Sequence, residues 1–315
     1  MSDHVLLCDF TFGSYIKLAL GQPGRRPEPA TLHACADRDE FDRSVLEFLK
    51  DRGDPKLIGV AISSRGWERR GVLQLPDDGL TIARDEVREL LGVKRLNLVN
   101  NFVARAMAIP HLKASEREKI CGDAPMDEQV IAVLGPHHGL GLAALAPDGA
   151  GGWTAMPCEG GHSDLPVSNE REWQVCQVLM ARYGHVAREY AVSLQGLVEV
   201  WKALHVVNKV GAGAATPEEI VALAKAGDAR ALEAVSLSIG WLAGMASDIG
   251  LILGARGGIY LTGDLMDMLN GLFDRDAFCR RYADKGRLSG YVSEIPVYRT
   301  LAPDMEIIGL ATLFD

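Results

Sequence analysis

The sequence predicts an α/β protein built as two lobes, and three observations predict it. Its 315 residues exceed one comfortable core at roughly 150 residues per domain. Short strand-like runs alternate with helix-like runs up to Pro110. After Pro110 the composition turns charged, as KASEREKICGDAPMDE, and a new strand pair opens as QVIAVLGPHHGLGLAAL. A lobe boundary is therefore placed near residue 110, giving a small lobe of residues 1–110 and a large lobe of residues 111–300.

The first lobe reads as strand VLLCDF, a turn, then YIKLAL, with later strands in KLIGVAISS and RLNLVN and a helix in DEFDRSVLEFLKDRG between the first and second pairs. The segment LVNNFVARAMAIP reads as a strand end, a polar hinge and the first turns of a helix. In the second lobe EREWQVCQVLMARYG, TPEEIVALAKAG and the long ARALEAVSLSIGWLAGMASDIGLIL read as helices. Thr216 followed by Pro217 suits an N-cap and first helical residue. Trp241 and Met245 fall at i, i+4 and read as core, and Asp248 on the same helix reads as a cap or a contact between lobes. Strands IYLTG and IPVYRTL complete the pattern. Each lobe opens with strand, Gly-containing turn and strand: LLCDFTFGSYIKLAL in the first, VIAVLGPHHGLGLAAL in the second.

Composition narrows the function. Hydrophobic residues make up 48% and charged residues 24%, and no apolar run is read as reaching the roughly 20 residues that cross a bilayer, so no membrane partner is expected. The start MSDHVLLCDF lacks the basic region of a signal peptide. Six cysteines are scattered singly, without a CxxC pair, so a reducing cytoplasm is expected, with neither a disulfide framework nor a cysteine metal site. The net charge of −9 and the absence of a basic stripe argue against nucleic acid.

The duplicated hairpins, the hinge LVNNFVARAMAIP, and PCEGGHSDLPV, GHVAREYAVSLQGL, RGGIYLTGDL and DKGRLSGYVSEIPVY together resemble the bacterial glucokinase family. PCEGGHSDLP and DKGR with IPVY are the most specific pieces. The resemblance implies a two-lobed actin-like/hexokinase fold, with RNase H-like lobes around a cleft and residues 301–315 returning to the small lobe. It implies a sugar, glucose in the family, held by Asn100, Asn101, Glu159, His162 and Glu189. It also implies ATP and Mg²⁺ as cofactors of an active enzyme, and a homodimer.

The same comparison exposes departures. The family's proton-accepting Asp is Asn101 here, and a positioned general base is worth about 10² to 10⁴ in rate. An amide still hydrogen-bonds a sugar hydroxyl but takes up no proton. The first phosphate turn, Asp9-Phe10-Thr11-Phe12-Gly13-Ser14, is one residue longer than the family's and carries Phe12 where a glycine would stand, so its benzyl group is expected to fill or deform the anion nest. In the second turn Pro136, His137 and His138 precede Gly139, and a hydroxyl donor is lost. The nucleoside-side Gly-Gly is Gly263-Asp264, which sets a carboxylate near an anionic ligand. Asp9, Gly13, Ser14, His138, Gly139 and Gly263 thus form a degenerate ATP site, and Trp67 and Pro76-Asp77-Asp78 retain little of the family's further sugar segments. These changes together favour a hexose-binding sensor or pseudokinase, acting through a regulatory partner protein, over its rival, an active glucokinase converting ATP and D-glucose to ADP and D-glucose 6-phosphate. A metal is not expected at His137-His138, because adjacent residues at a strand end point to opposite faces.

Overall fold

The computed structural model describes residues 3–10, 13–65, 67–75, 80–211 and 216–315. Contacts divide the chain into two compact units: Met1–Ala114 with Ala302–Asp315, and Ser115–Leu301.

Unit 1 is built on β1 (His4–Phe10), β2 (Tyr15–Gly21), β3 (Thr31–Ala34) and β4 (Leu57–Ser64). A small antiparallel sheet follows, of β5 (Trp67–Arg69), β6 (Val72–Gln74) and β7 (Thr81–Ala83), and then β8 (Arg95–Asn100). The main sheet has the order β3-β2-β1-β4-β8, antiparallel across β3-β2-β1 and parallel across β1-β4-β8. Its helices are α1 (Arg38–Lys50), α2 (Arg84–Leu91), α3 (Asn101–Ala108) and the C-terminal helix Met305–Thr312.

Side chains alternate across a strand, so β1, buried from Val5 to Phe10, feeds two cores. Leu6, Cys8 and Phe10 pack with Phe41, Val45 and Phe48 of α1, while Val5 and Leu7 pack with Ile307, Leu310 and Phe314. The helix α1 starts where Asp37 accepts the Glu40 N–H, satisfying one of the four orphan donors of a helix start. The C-terminal helix meets α3 at backbone distance: a Cβ at Gly309 would lie 1.7 Å from the Ala104 carbonyl oxygen.

Unit 2 contains β9 (Arg117–Cys121), β10 (Ile131–Pro136), β11 (Leu140–Pro147), β12 (Trp153–Cys158), β13 (Gly258–Leu261) and β14 (Val297–Thr300), in the order β12-β11-β10-β13-β14-β9. Its first five positions repeat the plan of unit 1: an antiparallel trio followed by two parallel strands. The duplication read in the two hairpins therefore extends to whole sheets. Strand β9 lies inside the charged stretch after Pro110, where no strand was expected. It pairs antiparallel with β14 at the sheet edge, and Ile120 is its buried residue, so its alternation is nearly invisible in sequence.

Helices α4 (Glu170–Tyr183), α5 (Leu194–Val207), α6 (Pro217–Lys225), α7 (Ala229–Leu253), α8 (Asp264–Met268), α9 (Arg275–Ala283) and α10 (Ser289–Glu294) belong to this unit. The N-terminus of α6 carries a full capping box between Thr216 and Glu219. By length and composition α7 could cross a bilayer, contrary to the sequence expectation, but 67% of its apolar window is buried in the protein. Trp241 and Met245 are among its buried residues. All six cysteines are free thiols.

Candidate functional site

The hinge in unit 1 forms because β8 ends at Asn100, whose side-chain oxygen accepts the Phe102 N–H at 2.8 Å and caps α3. One carboxamide oxygen of the predicted sugar pair is thus engaged in holding the turn. Asn101 is the first residue of α3 and is 5% exposed. A carboxylate there would sit at the positive end of the helix; the amide leaves the first turn without an acidic residue.

One turn further on, Arg105 donates through Nε to Glu306 at 2.6 Å, both side chains being 6% exposed. Burial pushes the Glu306 carboxyl up, but the Arg105 charge, a backbone hydrogen bond and the Lys17 charge outweigh it and hold the group below its ordinary value. The hinge helix is therefore anchored by a buried ion pair and by the Gly309 crossing.

In the same unit Asp9, next to the last residue of β1, is fully buried and accepts a 2.6 Å hydrogen bond from Ser63 Oγ. Gly13 has φ +56°, a conformation glycine adopts freely, and the Ser14 carbonyl accepts from Cys35 N–H. Thr11, Phe12 and Pro76-Asp77-Asp78 lie outside the described residues, as does the side chain of Trp67.

In unit 2 the β10–β11 turn, the Glu-Gly-Gly-His loop and Glu189 meet at closely packed glycines, two of which, Gly161 and Gly196, face backbone. A Cβ at Gly139 would stand 2.9 Å from Glu189 Oε2, at Gly161 2.0 Å from the Leu140 oxygen, and at Gly196 2.4 Å from the Glu189 oxygen. His162 Nε2 lies 3.7 Å from Glu189 Oε2. Glu159 and His162 are exposed and Glu189 is half-buried, so carboxylate oxygens and an imidazole stand ready for a polar ligand. Glu189 sits in the 3-10 turn Arg188–Tyr190. That turn is held by its neighbour Arg188, which donates to Asp248 at 2.9 Å and, through its backbone N–H, to the Ser163 carbonyl.

Several expectations need correction. Asp248 is not a cap. It lies within α7 and also accepts from Lys285 at 2.6 Å, so the Lys of the DKGR segment braces Arg188 from inside unit 2. The histidines at 137 and 138 do not point to opposite faces. They occupy the turn beyond the end of β10, where strand alternation no longer applies, and their rings lie 6.4 Å apart at 21°. Asp264 does not stand as a bare carboxylate, because its Oδ2 lies 2.6 Å from His137 Nδ1. Two departures from the family pattern, 127 positions apart in the chain, thus form one pair. Neither the pair nor the Arg188–Asp248–Lys285 brace was anticipated; the only sequence signal was the nearness of Arg188 to Glu189. Gly263 has φ +115° and a Cβ there would meet the Pro136 oxygen at 2.5 Å, which brings α8 against the turn.

Two duplicated sheets, each a hairpin trio followed by parallel strands, and a Gly-packed acidic and imidazole loop beside the second hairpin define an actin-like sugar-kinase fold. The glucokinase family model matches residues 14–315. The chain belongs to the glucokinase family. It is 36% identical over 303 residues to a glucokinase-like protein of Caulobacter vibrioides, covering 96% of this chain and 94% of the relative. A Chromobacterium violaceum glucokinase is 40% identical over 259 residues (82% and 74%), and one from Pseudomonas aeruginosa 33% over 300 residues (94% and 90%). Among solved structures, a glucokinase from an Antarctic psychrotroph superposes with TM-score 0.90 at 23% identity, covering 100% and 99% of the two chains. The Balamuthia mandrillaris glucokinase, solved with glucose, gives 0.79 at 18%, covering 99% and 93%.

Proposed function

We propose that this chain is a hexose kinase that binds glucose and transfers a phosphoryl group to it from ATP with Mg²⁺. The observation that carries this is the approach of His162 and Glu189 to each other beside the second turn, with Gly139, Gly161 and Gly196 closely packed there. The relatives named glucokinase support the same activity, and they favour it over the pseudokinase expected from the sequence. Glu159, Glu189 and His162 bind sugar hydroxyls, and Asn100 and Asn101 offer amides that can donate and accept hydrogen bonds. Phosphoryl transfer depends mainly on positioning and charge stabilisation, so it survives loss of the base at a reduced rate. A sugar-binding protein without transfer is the second reading, and Asn101 is the observation that favours it.

The test is coupled production of glucose 6-phosphate by the parent, Asn101→Asp and Glu159→Ala chains. The parent should turn over slowly, and Asn101→Asp should gain about 10² to 10⁴. Glu159→Ala should lose glucose affinity by about 1.5 to 3 kcal/mol, the worth of a charge-assisted hydrogen bond. Glucose binding with no turnover from parent or Asn101→Asp would establish the second reading, and no glucose binding would remove both.

A further inference from the structure

Glu189 stands on a 3-10 turn only three residues long, Arg188–Tyr190. A helix this short closes too few backbone bonds of its own to fix a side chain, so its placement depends on outside anchors. Arg188 supplies several of them. Its backbone N–H donates to the Ser163 carbonyl at 3.0 Å and its Nε to the Asp164 carbonyl at 3.2 Å. The two residues that follow His162 are thus both tied to the residue that precedes Glu189. Nη2 reaches the other way, donating to Asp248 Oδ2 of α7 at 2.9 Å, and Asp248 Oδ1 accepts from Lys285 Nζ at 2.6 Å. One guanidinium therefore joins the Glu-Gly-Gly-His loop, the Glu189 turn and α7. We propose that Arg188 is a positioning residue for hexose binding: held by Asp248 and Lys285, it sets where the Glu189 carboxylate stands beside His162.

This role rests on the kinase reading, in which Glu189 and His162 hold sugar hydroxyls. The geometry calls for an arginine. Its planar fork aims Nε at a carbonyl and Nη2 at a carboxylate in fixed directions, whereas a lysine ammonium can pair with Asp248 but cannot span both. The side chains of Arg188, Asp248 and Lys285 are 13%, 23% and 22% exposed, so solvent screens their contacts only in part. Asp248 stands between two cations, and without its charge they would repel. The brace also gives the DKGR segment a part in the sugar site that it does not touch in sequence.

Glucose titration, thermal melts and glucose 6-phosphate kinetics of Arg188→Gln, Arg188→Lys, Asp248→Asn and Glu189→Gln test this, with Thr216→Ala on α6 as the control for lost stability alone. Each of the first three should weaken glucose binding by about tenfold or more, since the charge-assisted bond that a misplaced Glu189 forfeits is worth about 10- to 100-fold. KM for glucose should rise with it and KM for ATP should not. Arg188→Lys keeps the ion pair and should melt close to the parent while binding glucose poorly; Thr216→Ala should melt lower and bind glucose like the parent. Because Arg188 acts through Glu189, adding Arg188→Gln to Glu189→Gln should weaken binding little beyond Glu189→Gln alone, whereas an independent structural loss would add in full. Should Arg188→Gln not fold, Arg188→Lys and Asp248→Asn carry the same comparison. Arg188 variants that bind glucose like the parent, or full additivity with Glu189→Gln, overturn the proposal while leaving the sugar site in place. A Glu189→Gln chain that binds glucose like the parent, or a parent that binds none, overturns the sugar reading and the role of Arg188 with it.

Discussion

Replacing Gly161 by alanine isolates the packing that builds the Glu-Gly-Gly-His loop. The new Cβ would lie 2.0 Å from the Leu140 carbonyl oxygen, whereas real Cβ contacts essentially never fall under 3.0 Å. The obstacle is backbone at the start of β11, so the loop and the strand must separate, and a misplacement of about 1 Å can cost about 10²-fold in transfer. His162 is the next residue and moves with the loop. The added strain should cost about 1 to 3 kcal/mol of stability, the usual range for overpacking. Gly160→Ala is the matched control: its Cβ would meet Leu142 Cδ2 at 2.5 Å, the far end of a side chain that can rotate away. Glucose titration, thermal melts and glucose 6-phosphate kinetics should show Gly161→Ala impaired in all three and Gly160→Ala close to the parent. If Gly161→Ala matches the parent in glucose affinity and melting temperature, the glycine-packed account of the site is wrong.

Glu306→Gln should destabilise the protein by about 3 to 5 kcal/mol, because it leaves Arg105 charged and buried without its carboxylate. Since the Glu306 carboxyl is held below its ordinary value, its contribution is present above the unfolded carboxylate range and is lost as pH falls through the lowered one. Denaturant melts from neutral pH into acid should therefore show the parent and variant converging, and a constant gap would refute the assignment. Thr216→Ala removes one half of the capping box on α6 and should cost about 1 kcal/mol by the same measurement, with glucose binding unchanged.

The hairpins, the hinge and the long apolar helix were legible in the chain because each rests on local chemistry. Short continuous apolar runs mark β1 and β10, Thr216-Pro217 marks the start of α6, and apolar side chains at helical spacing mark Trp241 and Met245 as core. Glu159, His162 and Glu189 were singled out through family resemblance, since they stand in motifs that keep their order and spacing, and the structure places His162 beside Glu189. Strand β9 was missed because an edge strand with one buried residue has almost no period to read.

Sequence by itself determined the α/β class, the duplicated plan and the identity of the polar groups, all set by side-chain type and by periods of two or 3.6 residues. Tertiary structure alone decided what those groups touch. Asp264 reads in sequence as a charge opposed to a phosphate, but across 127 positions it meets His137. Asp248 reads as a cap, but it joins Arg188 and Lys285 from α7. Hydrogen bonds and ion pairs act over about 3 Å in space whatever the separation along the chain, so partners far apart in sequence leave no periodic trace and appear only when the backbone has brought them together.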